Sequence, residues 1–533
     1  MAGRWRGMKQ GFRQCMAWLH TWSGLLVGWI LFAVFLTGTA SYFRGEISDW
    51  MRPELHAPAA GGEPAILAIE TLKRLAPDSP TWFVFPPGER NSELRVVWRN
   101  PPGKPTPPGS RGFGNMVLDP ATGEPVTARE SYGGEFFYRF HFQLHMPPLW
   151  GRWVVGFCAM MMLVAIISGV ITHRRIFADF FTFRPGKGAG RSWLDAHNAL
   201  AVLALPYHLM ITYTGLITLM LMYMPWGVQA VYKGDRGGFQ AEVFGVAPPV
   251  RRANQPAPLA PVGPLLEEAM RRWGGPPGRI EVQQPGDASA IIRLTRRDSE
   301  QISSNPQTLT FDGVRGTLLG ASGEPGAAAA TRGVAYGLHL GRFASPLVRA
   351  LFVLSGLAGT AMVATGLVLW AAKQRHRHAR AGRAGFGLRL VEALNLGTIA
   401  GLPTAMLGYF WANRLLPLHL ADRADWEVYC FFLLWGLAAL QALFWPGLRS
   451  WATQFAAAAL LGLLLPVLNL LTTHRHLGVS LPAGDWAMAG TDLLVAAFGL
   501  LLGLLSWRLF RRAGRAPVTR PVRGAGLARA EGA

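Results

Sequence analysis

Seven of the 13 histidines in this chain of 533 residues lie inside long apolar stretches or at their ends. An ionisable side chain at membrane depth is costly unless it faces a partner, a cavity or a cofactor. The stretch Trp193–Met222 is apolar almost throughout, yet it carries His197 near its start and His208 in its middle. Read as one helix, the 11 residues between them bring both imidazoles to one face, about 16 Å apart along the axis. The pattern occurs once before. His20 stands 17 residues before Thr37-Gly38, as His197 stands 17 residues before Thr214-Gly215.

Three kinds of chemistry fit these groups. Two imidazoles from different helices can ligate a b-type haem if each second nitrogen is oriented by a partner. Imidazoles can also line a transition-metal transport path. Or they are hydrogen-bonded polar groups in a helix bundle without a metal. The expected topology puts His20, His173 and His197 at the cytoplasmic end, His141, His145 and His339 at the external end, and His208 between. Pseudo-symmetry would pair His20 with His197 and His145 with His339. Of the others, His376 and His378 read as part of a solvated loop among arginines, His474 and His476 as interfacial, and His56 and His419 as isolated.

The elements that position them read as a polytopic all-α membrane protein of about eight spans, with two external α+β domains inserted in a duplicated unit. The spans fall near 18–43, 150–172, 193–222, 347–371, 391–414, 426–446, 452–472 and 487–509. By domain, 1–43 holds the N-terminal segment and first span, and 44–149 the first external domain. Residues 150–222 carry two spans and a basic loop (173–191), 223–344 the second external domain, and 345–372 the fourth span. A cytoplasmic loop (373–390), four additional helices (391–515) and a disordered tail (516–533) follow.

In the first insert, Pro64–Ala76 reads as a helix, Thr81–Phe85 and Glu93–Trp98 as strands, and Met116–Val126 as a hairpin. In the second, Val262–Trp273, Arg279–Gln283, Ala290–Thr295 and Leu309–Leu319 repeat that order.

Hydrophobic residues make up 50% of the chain, and the net charge of +21 gathers in short basic clusters beside the spans. That is the positive-inside pattern, which excludes nucleic acid as the reason for the charge and places both termini in the cytoplasm. The three cysteines are scattered and form no C-x-x-C, so zinc-ribbon, iron–sulfur and covalently attached haem sites are excluded.

WLHTWSGLLVGWILFAVFLTG, RFHFQLH…GRWVVGFCAMMMLVAIISG, RSWLDAHNALAVLALPYHLMITYTGL and LHLGRF…TGLVLW resemble the PepSY-associated transmembrane helix family over about residues 15–375. Its members are bacterial inner-membrane proteins, among them iron-regulated membrane proteins and ferric-siderophore reductases. The resemblance implies PepSY-like external domains and two non-covalent b haems conducting electrons across the membrane to a ferric siderophore or other ferric chelate. On that pattern His20, His145, His197 and His339 match the histidine-bearing starts of the four spans, with His208, His173 and His141 as further cofactor-binding candidates.

No G-x-G-x-x-G follows a predicted strand, and no cytoplasmic segment is long enough for a flavin or nicotinamide domain. Electrons are therefore expected from a quinol or a separate reductase. The rival reading is non-enzymatic: a membrane-anchored PepSY sensor or peptidase regulator.

Overall fold

The computed structural model describes residues 11–55, 63–88, 90–101, 103, 112–173, 189–244, 250–322, 324–380 and 385–515. Helix α1 (Phe12–Ala40) continues through a 3-10 turn into α2 (Arg44–Met51). These 40 apolar-rich residues reach about 60 Å, roughly twice the hydrocarbon thickness, so the upper part stands clear of the bilayer core. Next come α3 (Pro64–Leu75), β1 (Thr81–Phe85), β2 (Leu94–Arg99), β3 (Phe113–Leu118), α4 (Gly134–Gln143) and α5 (Pro148–Thr172).

The second unit repeats the plan. It comprises α6 (Ala189–Leu203), α7 (Leu205–Thr218), short helices α8 (Met220–Tyr223), α9 (Trp226–Tyr232) and α10 (Arg236–Phe244), and α11 (Gly263–Trp273). Strands β4 (Arg279–Gln283), β5 (Ile291–Thr295), β6 (Thr308–Asp312) and β7 (Leu318–Ala321) precede α12 (Ala327–Leu340) and α13 (Pro346–Arg380). The remainder is α14 (Phe386–Ile399), α15 (Gly401–Leu415), α16 (Arg423–Phe444), α17 (Leu448–Thr472), α18 (Leu477–Ser480) and α19 (Trp486–Arg515).

Among the described residues seven helices are long and apolar enough to cross a membrane, and α6 with α7 makes an eighth crossing if the bent pair is one span. The chain is thus a multi-pass membrane protein, mostly helical. The straight third helix expected from sequence is broken: α6 and α7 meet at Ala204 with a bend of 67°. Pro206 is the reason, since it lacks an N–H and its ring collides with the carbonyl four residues back. His208 therefore does not continue the axis that carries His197.

The two inserted segments also differ from two free-standing domains. They form one antiparallel sheet in the order β3-β2-β1-β4-β5-β6-β7. The seam is β1 on β4, with Thr81 opposite Gln283 and Phe83 opposite Glu281. Antiparallel pairing of equivalent strands is what a local two-fold axis produces. It also removes two unpaired edges from half-sheets that would be marginal alone.

Alternation along the strands buries Trp82, Val84, Leu94, Val96, Ile280, Val282, Ile292 and Leu294 against α3 and α11 in one continuous core. The hairpin expected at Met116–Val126 turns at Asp119–Gly123, where Gly123 donates to the Asp119 carbonyl, and its short return limb pairs at Leu118 with Pro125 and through the Val126 N–H to the Val117 carbonyl. The loop expected after residue 372 is instead the last two turns and more of α13, where His378 Nδ1 lies 2.9 Å from its own helix at Gln374 O. Gln, Arg and Ala there favour a helix even in solvent.

The last helices pack as a second bundle. Gly462 of α17 and Gly499 of α19 bring two backbones together, because a Cβ on Gly462 would lie 2.9 Å from the Cα of Gly499. This bundle joins the first unit through buried polar groups. Trp50 Nε1 donates to Asp492 (2.9 Å), Asn469 donates to the same carboxylate (2.9 Å), and Arg414 lies 3.7 Å over the Trp50 ring. Arg414 also donates to Asn469, Asn413 and the Trp50 carbonyl. The expected tail at 516–533 and His56 fall outside the described residues.

Candidate functional site

His20 sits near the start of α1 and His197 near the start of α6, on the side of the bundle away from the sheet. Their ring centroids are 6.2 Å apart. His141 on α4 and His339 on α12 form a second pair on the sheet side, with centroids 6.0 Å apart. Each pair joins equivalent residues from the two units, so both lie about the local two-fold axis. Along α1, His20 and the residue that holds His141 (Val34) are 14 positions apart, about 21 Å.

All four imidazoles are held in one way. Nδ1 faces a helix carbonyl: His20 on Ala165 (2.8 Å), His141 on Val34 (2.7 Å), His197 on Met362 (2.9 Å) and His339 on Ile211 (3.0 Å). A carbonyl only accepts, so each Nδ1 carries the proton and each Nε2 is left with a free lone pair.

The glycine four residues further along makes the contact reachable. In a helix that carbonyl already accepts from the N–H at i+4, and a side chain there would cover its second lone pair. The four seats are Gly169, Gly38, Gly366 and Gly215. A Cβ on them would stand 3.1 Å from His20, 2.5 Å from His141, 3.2 Å from His197 and 2.9 Å from His339. Each glycine follows a Ser or Thr that bonds back along its own helix, as Thr37 does to Ala33 and Ser168 to Val164.

The residues fit a haem. An iron about 2 Å from each of two facing nitrogens, with each ring centroid about 1 Å behind its nitrogen, needs centroids about 6 Å apart. A bare ion asks for about four protein ligands. Among the described residues no three His, Cys, Asp or Glu side chains converge. Two imidazoles suit a metal whose other ligands arrive with it.

The pairing expected from sequence differs on the sheet side. His339 faces His141, not His145, whose ring lies against Phe136 and Phe432 (5.9 and 5.5 Å) in a turn at φ 54°. The equivalence was displaced by four residues. A better signal is the proline that opens the next helix, since His141 precedes Pro148 by seven residues and His339 precedes Pro346 by seven. The Thr-Gly pairs that mark the repeat in sequence also serve as seats, and Ser168-Gly169 and Thr365-Gly366, which no spacing marks, complete the set.

His173 lies at the end of α5 with Nε2 3.2 Å from Asn198, the neighbour of His197. His208 is 1% exposed, packs 6.0 Å from Phe35, and its Nε2 has no hydrogen-bond partner.

A family described as PepSY-associated TM region matches residues 17–373, which takes in all four paired histidines and stops before α14. An uncharacterized protein of Pseudomonas aeruginosa is 26% identical over 392 residues, 70% of this chain and 93% of that one.

Proposed function

Because the chain belongs to the PepSY-associated transmembrane family, we propose that it holds two b haems and conducts electrons across a bacterial cytoplasmic membrane to a ferric chelate. The observation that carries this reading is the pair of two-fold-related imidazole sets, with centroids 6.2 and 6.0 Å apart and every Nδ1 anchored to a carbonyl. His20 with His197 would hold one group and His141 with His339 the other.

Haem supplies one-electron carriage when bound. The protein's part is positional. The carbonyl bonds fix each ring's tautomer and rotation and raise the basicity of the ligating nitrogen. The glycines let the rings seat deep between helices, and the surrounding apolar side chains exclude water. In this reading the sheet lies outside and both termini inside, following the basic clusters at 4–13 and 508–515. A quinol or a separate reductase is the donor, a ferric siderophore or other ferric chelate the acceptor.

The test is the visible spectrum and haem stoichiometry of the purified protein. Two haems per chain with a low-spin bis-imidazole spectrum support the reading. Absence of haem absorption from protein made in haem-replete cells overturns it.

A further inference from the structure

One turn beyond the His141–His339 pair, towards the sheet, α4 and α12 each carry a tyrosine. Tyr138 and Tyr336 both stand three residues before their histidine and are near enough to interact electrostatically. Guanidinium groups surround them. Arg44 lies 4.6 Å from the Tyr138 ring centroid and Arg332 5.3 Å from that of Tyr336. Arg139 and Arg342 both lie within electrostatic range of Arg44, and Arg342 also within that of Tyr138.

Two carboxylates share these four cations. Glu135 pairs with Arg44 (2.5 Å) and Arg139 (2.9 Å), and Asp298 pairs with Arg342 (2.5 Å). Two positive charges are therefore unmatched within the cluster. The buried Nε of Arg332 has no hydrogen-bond partner. Arg139 and Arg342 keep 60% and 44% of their side chains exposed, so the cluster is open from the sheet side. Guanidinium forks and phenol hydroxyls gathered in one cluster are donors matched to carboxylate oxygens. An excess of like charge is relieved when an anion enters.

We propose that Arg44, Arg139, Arg332, Arg342, Tyr138 and Tyr336 form a carboxylate-binding collar over the sheet-side histidine pair; this rests on the haem reading above. Such carboxylates come from two sources. One is the acceptor, as a polycarboxylate ferric chelate taking one electron per ferric ion. The other is the carboxylate arms of the haem held by His141 and His339.

The experiment uses haem-loaded, pre-reduced full-length protein and the double variant Arg139→Gln/Arg342→Gln, with Arg342→Gln alone as a companion. Both side chains are exposed, so folding should match the parent. If the collar receives the acceptor, the second-order rate of reoxidation by ferric citrate falls about tenfold or more in the double variant. Its salt dependence flattens too, while reoxidation by a cationic ferric hydroxamate is unchanged. If it receives the haem's own arms, both chelates slow alike and one haem's midpoint potential moves. Unchanged rates and unchanged potentials in both variants overturn the collar.

Equilibrium dialysis of ferric citrate against the full chain freed of haem separates this from the reading beneath it. Binding that is lost in the double variant stands even where the parent carries no haem. Equal binding by variant and parent counts against the acceptor role whatever the haem content.

Discussion

The two halves of the duplication keep one device and vary another. In both, a histidine near the start of the first span and one in the short helix after the sheet are seated on a carbonyl with a glycine at i+4. The layer between the pairs is not kept. Leu31 and Met162, each 4% exposed, occupy it in the first half, where His208 and Gly359 stand in the second. The outer face of the short helices differs as well. Phe136, Phe137 and Phe140 of α4 pack on Tyr409, Phe410 and Phe431, whereas Val334, the counterpart of Phe136 on α12, is 40% exposed. A site built from two equivalent residues constrains both copies at once. A site that uses one copy leaves the other free to change.

The sharpest way to break this comparison is to remove one member of a pair. His141→Ala and His339→Ala should each take away one whole haem, as should His197→Ala for the other pair. His145→Ala should leave two. Haem stoichiometry decides it: two haems retained in His339→Ala, or one lost in His145→Ala, would reverse the assignment of the sheet-side pair.

The second test concerns the asymmetric partner of the first half. Arg414→Ala removes the guanidinium donor from the Trp50 carbonyl and from the side-chain oxygens of Asn413 and Asn469, and takes the nearby cation from Asp492. Breaking a buried network of this kind costs about 3–5 kcal/mol. The last helices should then detach from α2, read as a lower unfolding temperature and new protease cleavage after residue 385. Haem content on the 20/197 side should hold. An unchanged unfolding temperature would mean that the apolar contacts of α4 carry the docking alone.

A smaller effect is expected at the seats. Gly38→Val puts a side chain where even a Cβ would lie 2.5 Å from His141 Nδ1, while a Cβ on Gly24 would meet nothing within 4 Å. Loss of an orienting contact behind a metal-bound imidazole costs about 10–100-fold in affinity. Haem titration of Gly38→Val should show that loss for one haem, and Gly24→Val should show none. Equal affinities would make the glycine incidental.

Much of this was legible in the sequence, for identifiable reasons. Strands Thr81–Phe85 and Arg279–Gln283 agree residue for residue, because period-two burial against one helix layer leaves a plain alternation. The seam between them was not legible, since edge pairing is set by backbone groups that every residue carries. His20 and His197 were found by equal spacing to Thr-Gly within one helix each. His141 is among the candidates, but its pairing with His339 is not legible, because α4 is a ten-residue helix that turns at Leu144 before α5 begins, so no long span fixes the register. The bend at Ala204 was signalled by Pro206 and overruled by the length of the apolar run.

The least expected effect lies at His208, a buried imidazole the repeat leaves unmatched. Its ring meets the backbone of Ser355, while Nε2 has no partner and lies 3.1 Å from where a Cβ on Gly359 would be. Both features belong to the second half only, so His208→Leu restores the residue type that Leu31 supplies in the first. The seats of all four paired histidines are untouched, and two haems should remain bound. What changes is the polarity between them. A nearby imidazole favours the more highly charged ferric state, so its loss should raise the midpoint potential of one haem and leave the other in place. Gly359→Ala, which presses a methyl against the Phe35 ring and Nε2, should move the same potential by less. If redox titration finds both potentials unchanged in both variants, His208 is a structural group held by Ser355. The difference between the two halves at this layer then carries no electronic consequence.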